Sequence, residues 1–394
     1  MKKSALQSFF RNIRHAHCKV VYWDGEVVKY GAGEPRTTII FKKAPALNLE
    51  DPVLAFGEAY MDGAVDYEGD LEEIIRVAGL NKEHFPTAGL GGKVLAAMQA
   101  LNKTVTKEKQ QENIQHHYDL GNDFFSLWLD ETMSYSCAYF KTPGLSLFQA
   151  QMAKIDHALK KLNLRSGERL LDIGSGWGWL IIRAVELYGV KALGITLSEE
   201  QYQAAREKIH SMGLADRVDV RLVNYLDLDE NELQFNKIVS IGMFEHVGKA
   251  NLRKYMEKVD RLLAPGGLSL LHAITGMLEK GVNSWMEKYI FPGGYIPSLR
   301  ETVWLLPEYD FHLLHAESLR LHYALTLDQW YKNFREHVDV IEQKFGRRFV
   351  RMWGLYLRGC AASFRASGLD VHQLLFSKGL NNQLPLTFGH IYNQ

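Results

Sequence analysis

The sequence predicts an α/β protein in which a doubly wound parallel sheet follows a smaller N-terminal α+β domain. Three observations carry this. From residue 165 short β-rich runs alternate with helical ones. The run LLDIGSGWG at residues 170–178 describes a buried strand turning sharply into a helix. The chain of 394 residues is long enough for two domains, and its first hundred residues follow a different pattern from the rest.

In chain order, the first fifteen residues place Ala5, Leu6, Phe9, Phe10 and Ile13 within an arc of roughly 140° on a helix. Lys3, Arg11 and Arg14 lie beside that stripe. Two readings stay open: an interfacial membrane helix, or a short helix packing on its own domain. VVYWDGEVVKYG at 20–31 reads as a β-hairpin turning at Asp24-Gly25, followed by a strand at TTIIF and helices around 51–61 and 70–79. GGKVLAAMQALNK at 91–103 gathers Val94, Leu95, Met98 and Leu101 on one helical face, suited either to core packing or to lipid contact. The polar KTVTKEKQQEN that comes next marks a boundary near residue 106, dividing the chain into 1–105 and 106–394.

The sheet then follows: RLLDI, a helix to Tyr188, VKALGIT, a helix from Ser198, VDVRLV, KIVSIG, a helix near 251–263, and LSLLHAI. Ligands of such a sheet bind at the carboxyl ends of its strands. The segment YIFPGGYIPS at 289–298 is too apolar for a casual solvent loop and reads as a lid or substrate wall.

Charge and cysteine content narrow the function. Forty-six basic against 46 acidic side chains leave no net charge, which argues against a nucleic-acid-binding protein. The balance hides one asymmetry: residues 1–43 hold nine basic side chains against three acidic ones, a composition suited to an anionic membrane surface. Cys18, Cys137 and Cys360 are odd in number and far apart, fitting neither a disulfide framework nor a metal site, so no metal is expected. A reducing cytoplasm suits them. No apolar run is long enough to span a bilayer, and the N-terminus has no signal-peptide h-region.

In the glycine loop, Gly174, Gly176 and Gly178 follow Asp172, and Trp179 occupies the third glycine place of a dinucleotide fingerprint. The DxGxGxG spacing resembles instead the first motif of S-adenosylmethionine-dependent methyltransferases. Four further strings stand at the right places around it: HYDLGNDFFSLWLDETMSYSCAYF at 117–140, GITLSEEQ at 194–201, FEHVG at 244–248 and LLHAI at 270–274. With HYALTLDQWY at 322–331 and RGCAASFRA at 358–366, they closely resemble the cyclopropane fatty acid synthases, and the two-domain layout is similar to their bacterial phospholipid-acting branch.

That resemblance implies a Rossmann-like methyltransferase sheet behind an N-terminal lipid-binding domain. It also implies methylene transfer from S-adenosylmethionine to a cis double bond of an unsaturated acyl chain of membrane phospholipid. A homodimer, cytoplasmic and peripherally held at the inner face of the cell membrane, is expected. An alkene is a feeble nucleophile, so position and cation stabilisation matter more than base-activated attack; a base is needed only for ring closure.

In the family bound bicarbonate is that base, and its positions carry over onto Cys137, Glu245, His272, Ile274 and Tyr323. Glu245 can accept the bicarbonate O–H while His272, the Tyr323 hydroxyl and backbone N–H groups donate to its oxygens. Taken singly, Glu245 can cap a helix, His272 can be a satisfied core histidine and Tyr323 can be packing. Cofactor positions carry over onto Tyr135, Ser136, Asp172, Gly174, Ser175, Gly176, Thr196, Gln201 and Tyr225. Thr196 and Leu197 occupy the place where many methyltransferases have an acidic ribose ligand, so ribose recognition falls to Thr196 and Gln201. Tyr139, Phe140, Trp285, Tyr289, Phe291 and Tyr295 are aromatic candidates for an acyl channel. Cys360 reads as pocket wall, since no step needs a thiol. The alternatives are a lipid C-methyltransferase that makes branched or methylene fatty acids, a small-amine N-methyltransferase, and a catalytically silent lipid carrier.

Overall fold

The computed structural model describes residues 3–15, 17–45, 51–81 and 120–392. The apolar helix expected at 91–103 and the boundary near 106 lie outside the described residues. The chain forms two compact units, the first of Met1–Lys103, Val282–Pro292 and Leu327–Leu369, the second of Thr104–Gly281, Gly293–Thr326 and Asp370–Gln394. A division drawn along the sequence does not anticipate the two later segments that join the first unit.

In the first unit β1 (Cys18–Val21) pairs antiparallel with β2 (Val27–Tyr30) through a turn in which Gly25 takes φ +87°. β1 also runs parallel to β3 (Thr37–Phe41), and β3 pairs antiparallel with β4 (Val65–Gly69), giving the order β2-β1-β3-β4. The helix Lys3–Asn12 buries Leu6 and Phe10 in a core with Val20, Tyr22, Tyr30 and Phe41, and Phe9 and Ile13 pack against the same cluster. Of the two readings of the N-terminal stripe, packing on its own domain is the arrangement present. Ala5 remains exposed.

Asp51 caps the helix Pro52–Met61 through Leu54 N (3.1 Å), and Asp70 caps Leu71–Leu80 through Glu72 N (2.8 Å). The later segments join through specific contacts. Arg351, on the helix Arg347–Ala366, donates from Nε to Tyr60 O (2.5 Å) and from Nη2 to Val65 O (3.1 Å). Trp285 donates to Met61 Sδ (3.2 Å), and a Cβ on Gly57 would lie 2.4 Å from its indole ring.

The second unit holds a seven-stranded sheet. Its strands are β5 (Arg169–Ile173), β6 (Lys191–Thr196), β7 (Val218–Leu222), β8 (Phe235–Ile241) and β9 (Leu263–Thr275), then, beyond the small pair β10 (Lys280–Gly281) and β11 (Tyr295–Ile296), β12 (Phe311–Ser318) and β13 (Asp370–Lys378). The order is β12-β13-β9-β8-β5-β6-β7. β5 to β9 are parallel, as the alternating pattern predicts, but β13 pairs antiparallel with β9 and β12 antiparallel with β13, so the sheet is mixed.

Both faces are covered, which is why the central strands read as continuous apolar runs. Leu170, Ala192, Val220 and Val239 meet Ile181, Val185 and Ile209 from the helices Trp179–Tyr188 and Glu199–Ser211. Leu171, Ile195 and Ile238 meet Tyr255, Met256 and Val259 from Leu252–Leu262. The chain reverses winding between β5 and β8, so the carboxyl ends of β5, β6 and β8 flank a topological switch point.

Candidate active site

At the end of β5 the chain enters the glycine loop. Gly174 takes φ +88°, a conformation that disfavours any other residue, and a Cβ there would lie 3.1 Å from Met243 Cβ, so a side chain would also crowd Met243. The N–H groups of Gly174 and Ser175 both donate to Ile195 O, at 3.0 and 2.9 Å, and Ser175 Oγ bonds the same oxygen at 3.4 Å. The loop is therefore tied to β6, and the Ser175 hydroxyl proton is engaged. Gly194 in β6 makes room for this contact, since a Cβ on it would sit 2.7 Å from Ser175 Oγ.

A cleft of about 1140 Å³, counting its open mouth, lies over these strand ends. Tyr135, Ser136, Asp172, Gly174, Ser175, Gly176, Thr196, Gln201 and Tyr225 all line it, so the nine positions assigned to a cofactor fall in one place. Its size suits a small-molecule cofactor. The Thr196 hydroxyl donates to Gln201 Oε1 (2.7 Å), which fixes the amide with its –NH₂ group as the remaining donor. Further along the wall Tyr225 Oη and Asn224 Nδ2 are buried without a hydrogen-bond partner, the condition expected of groups shaped for a polar ligand.

Lys154 lines the same cleft, and the sequence reading missed it. It is almost wholly buried and donates from Nζ to Ser136 Oγ (3.0 Å). Burial pushes its pKa down to about 8 against the opposing pull of Asp130, Cys137 and Asp172, while burial pushes Asp172 up to about 7 against the pull of Lys154. Gln151, one turn earlier, donates to Ser136 O (3.0 Å) and Ser134 O (3.3 Å), so one helix positions the whole 134–136 strap. The available signal was periodicity: Gln151, Lys154 and Lys161 share the stripe of Ala150, Ile155 and Ala158 on Leu147–Lys161, a place where polar residues are kept only for a reason.

The five positions assigned to bicarbonate lie around the ends of β8, β9 and β13. Glu245 sits in the tight turn after β8, and its Oε1 accepts from Ile274 N (2.6 Å) at the end of β9. Its Oε2 is shut off from solvent and has no hydrogen-bond partner. Burial pushes the carboxyl up to about 7, opposed by the Ile274 N–H. His272 lies two residues before Ile274, on the same face of β9. It is buried, pairs through Nδ1 with Gln373 Nε2 (3.1 Å), and is held neutral by burial and by the charges of Lys154 and Lys161.

Cys137 and Tyr323 form a second group around Leu319. Leu319 O accepts from Cys137 Sγ (3.7 Å) and from Tyr323 N (3.0 Å), and Leu319 N donates to Val371 O (2.8 Å), the residue paired with Ile274. Burial raises the Cys137 thiol well above its ordinary range, so it is a thiol and a donor. The two groups are thus joined through Val371.

The aromatic candidates divide. Trp285, Tyr289 and Phe291 pack within the first unit, Tyr289 on Glu58 and Phe291 on Tyr356. Tyr139 belongs to the second unit, stacked between the rings of His157 (4.2 Å) and His322 (4.8 Å), and Tyr295 there bonds Glu301. Cys360 lies in the first unit, its thiol pushed up to about 12 by burial.

Comparison with known proteins places this geometry. The profile of mycolic acid cyclopropane synthetase matches residues 105–374, and a domain of unknown function matches 5–88. A probable fatty acid methyltransferase of Pseudomonas putida is 36% identical over 98% of both chains. The cyclopropane-fatty-acyl-phospholipid synthase of Escherichia coli K12 is 38% identical over 85% of this chain and 86% of its own. The crystal structure of mycolic acid cyclopropane synthase CmaA1 complexed with SAH and CTAB superposes with a TM-score of 0.64 at 36% identity, covering 68% of this chain and 98% of that one. The chain therefore belongs to the mycolic acid cyclopropane synthetase family and is a Rossmann-like S-adenosylmethionine-dependent methyltransferase.

Proposed function

We propose that this enzyme adds a methylene group to cis double bonds in the acyl chains of membrane phospholipid, with bicarbonate as the base for ring closure. When bound, S-adenosylmethionine supplies an electrophilic methyl on a sulfonium, and bicarbonate supplies the proton acceptor. The cleft suits the first: glycine backbone at Gly174, the Gln201 amide for ribose hydroxyls, and the unpartnered Tyr225 and Asn224 groups for the base end. Lys154 holds Ser136 and sets the charge near Asp172.

What carries the reading is Glu245 Oε2, a carboxylate oxygen closed off from water with no partner. Such an atom calls for an O–H or N–H donor. Bicarbonate has one O–H to give it and several oxygens to receive from donors, for which His272 and Tyr323 are the side-chain candidates. Ionised, Glu245 would repel an anion; the O–H bond to Oε2 is what lets the two sit together.

The relative in Pseudomonas putida, a probable fatty acid methyltransferase matching nearly end to end, favours a second reading, C-methylation without ring closure. The two products differ in unsaturation. The membrane surface is met through exposed cations of the first unit, whose helix turns Leu6 and Phe10 inward while Arg11, Arg14, Arg36 and Lys43 stand exposed. Each such cation near an anionic surface contributes about 1 kcal/mol and is screened by salt.

One experiment tests both parts. The enzyme is incubated with S-adenosylmethionine and anionic vesicles of unsaturated phospholipid, followed by mass spectrometry and proton NMR of the lipid. The expected product has gained one methylene and lost its olefinic protons, at a rate that falls as salt is raised. A methylated product that keeps an unsaturation signal favours the second reading; a rate indifferent to salt removes the electrostatic docking.

A further inference from the structure

We infer that Gln373, oriented by Lys161, locks His272 in the neutral Nε2–H tautomer, so that the imidazole offers a donor and not a lone pair to the bound anion. The logic starts from Lys161. Its ammonium has donors only, and its Nζ lies 2.7 Å from one terminal atom of the Gln373 amide, which must therefore be the oxygen. The other terminal atom is then the –NH₂ group, a donor only, and it lies 3.1 Å from His272 Nδ1. Nδ1 must accept. A neutral imidazole with an accepting Nδ1 carries its single proton on Nε2.

Each link is fixed by the next. Gln373 and His272 face each other across the β13–β9 ladder and are both buried. Lys161 has essentially no exposure and is held by Glu317, which also bonds His157 Nε2 at 2.6 Å. A buried ion pair of this kind adds little net stability, so its retention calls for another use. Here it sets the direction of one amide. Neutrality of His272 is supported by its burial and by the cations of Lys154 and Lys161, with Glu317 the opposing charge. Gln373 and Lys161 are thus positioning residues: neither is assigned to the anion, and both act through the imidazole.

The consequence for the anion rests on the reading of His272 as a bicarbonate donor, whereas the tautomer itself is measurable without it. Were Nδ1 protonated instead, Nε2 would turn a lone pair toward an anion. A buried donor lost to a charged partner is worth a factor of about 10 to 100 in affinity.

The test is two-bond ¹H–¹⁵N correlation NMR on the full-length protein labelled in its histidines, with the His272 signals identified by their loss in His272→Gln. The tautomer is read in the wild-type spectrum, and the His272→Gln variant serves only to assign its signals. Expected is an Nε2–H signature with a pyridine-like Nδ1. In Gln373→Glu the carboxylate accepts from both Lys161 and the ring, so the single proton of the neutral imidazole should move from Nε2 to Nδ1. The bicarbonate concentration for half-maximal rate should then rise about tenfold or more, with affinity for S-adenosylhomocysteine unchanged. A wild-type Nδ1–H tautomer, or Gln373→Glu with Nδ1 still bare, overturns the inference. If the tautomer changes as stated and the bicarbonate dependence does not move, the tautomer lock stands and the anion reading falls.

Discussion

Glu245→Gln is expected to lower turnover by about 10²–10⁴-fold, the usual range for losing general-base help, while leaving affinity for S-adenosylhomocysteine unchanged. The amide oxygen of glutamine can keep the bond from Ile274 N that Glu245 Oε1 now makes. Its –NH₂ group then replaces the unpartnered Oε2, so a donor stands where an O–H donor must bind. Glu245 does not line the cofactor cleft, and the effect should fall on the chemical step.

The pH dependence follows with a definite sign. Burial raises the Glu245 carboxyl to about 7, and only the ionised form accepts an O–H at Oε2. Wild-type activity should therefore fall as pH is lowered through about 7, and the glutamine variant should lose that acid limb. Stopped assays of product lipid across pH 5–9, beside calorimetry with S-adenosylhomocysteine, read both effects. Equal losses in turnover and cofactor affinity would point to a structural role for Glu245 instead.

The second large effect belongs to Lys154. Lys154→Met keeps the apolar bulk of the side chain on Leu147–Lys161 but removes the donor to Ser136 and the cation that pulls on Asp172. Asp172 should then move above about 7 and be largely protonated at neutral pH. A charge-assisted hydrogen bond is worth about 1.5–3 kcal/mol, so affinity for S-adenosylhomocysteine should fall about 10- to 100-fold. In the wild type the same affinity should weaken as pH rises through about 8, where Lys154 loses its charge. Unchanged affinity in the methionine variant would show that Lys154 only fills space.

These two residues also mark what the sequence made legible. Strand existence is written locally: RLLDI, VKALGIT, VDVRLV, KIVSIG and LSLLHAI became β5 to β9, and the glycine loop with the turn at Glu245 could be placed at their ends. The antiparallel edge was not legible, because β13 reaches β9 from about a hundred residues away and FHLLHAES gives no clean alternation. The same distance hid Gln373 behind His272. Lys154 and Lys161 were hidden differently, as ordinary charges on a helix whose buried stripe is visible only once the sheet beneath it is known.

The N-terminal domain shows the converse. Its hairpin, third strand and two helices could be placed from local pattern, yet the segments 282–292 and 327–369 join it through contacts that no local pattern announces, such as Arg351 with Tyr60 and Val65. The aromatic set grouped by composition separated for that reason. Trp285 fills the space left by Gly57 in the first unit, while Tyr139 is held between two histidines of the second.

The central claim is that a bicarbonate held against Glu245 removes the proton that closes the ring. Its most direct test is turnover on unsaturated phospholipid vesicles in buffer stripped of carbon dioxide, with bicarbonate then added back. The account predicts that the rate collapses on stripping and returns on addition in the wild type, and that neither change occurs in Glu245→Gln. A wild-type rate that is the same with and without bicarbonate would contradict it.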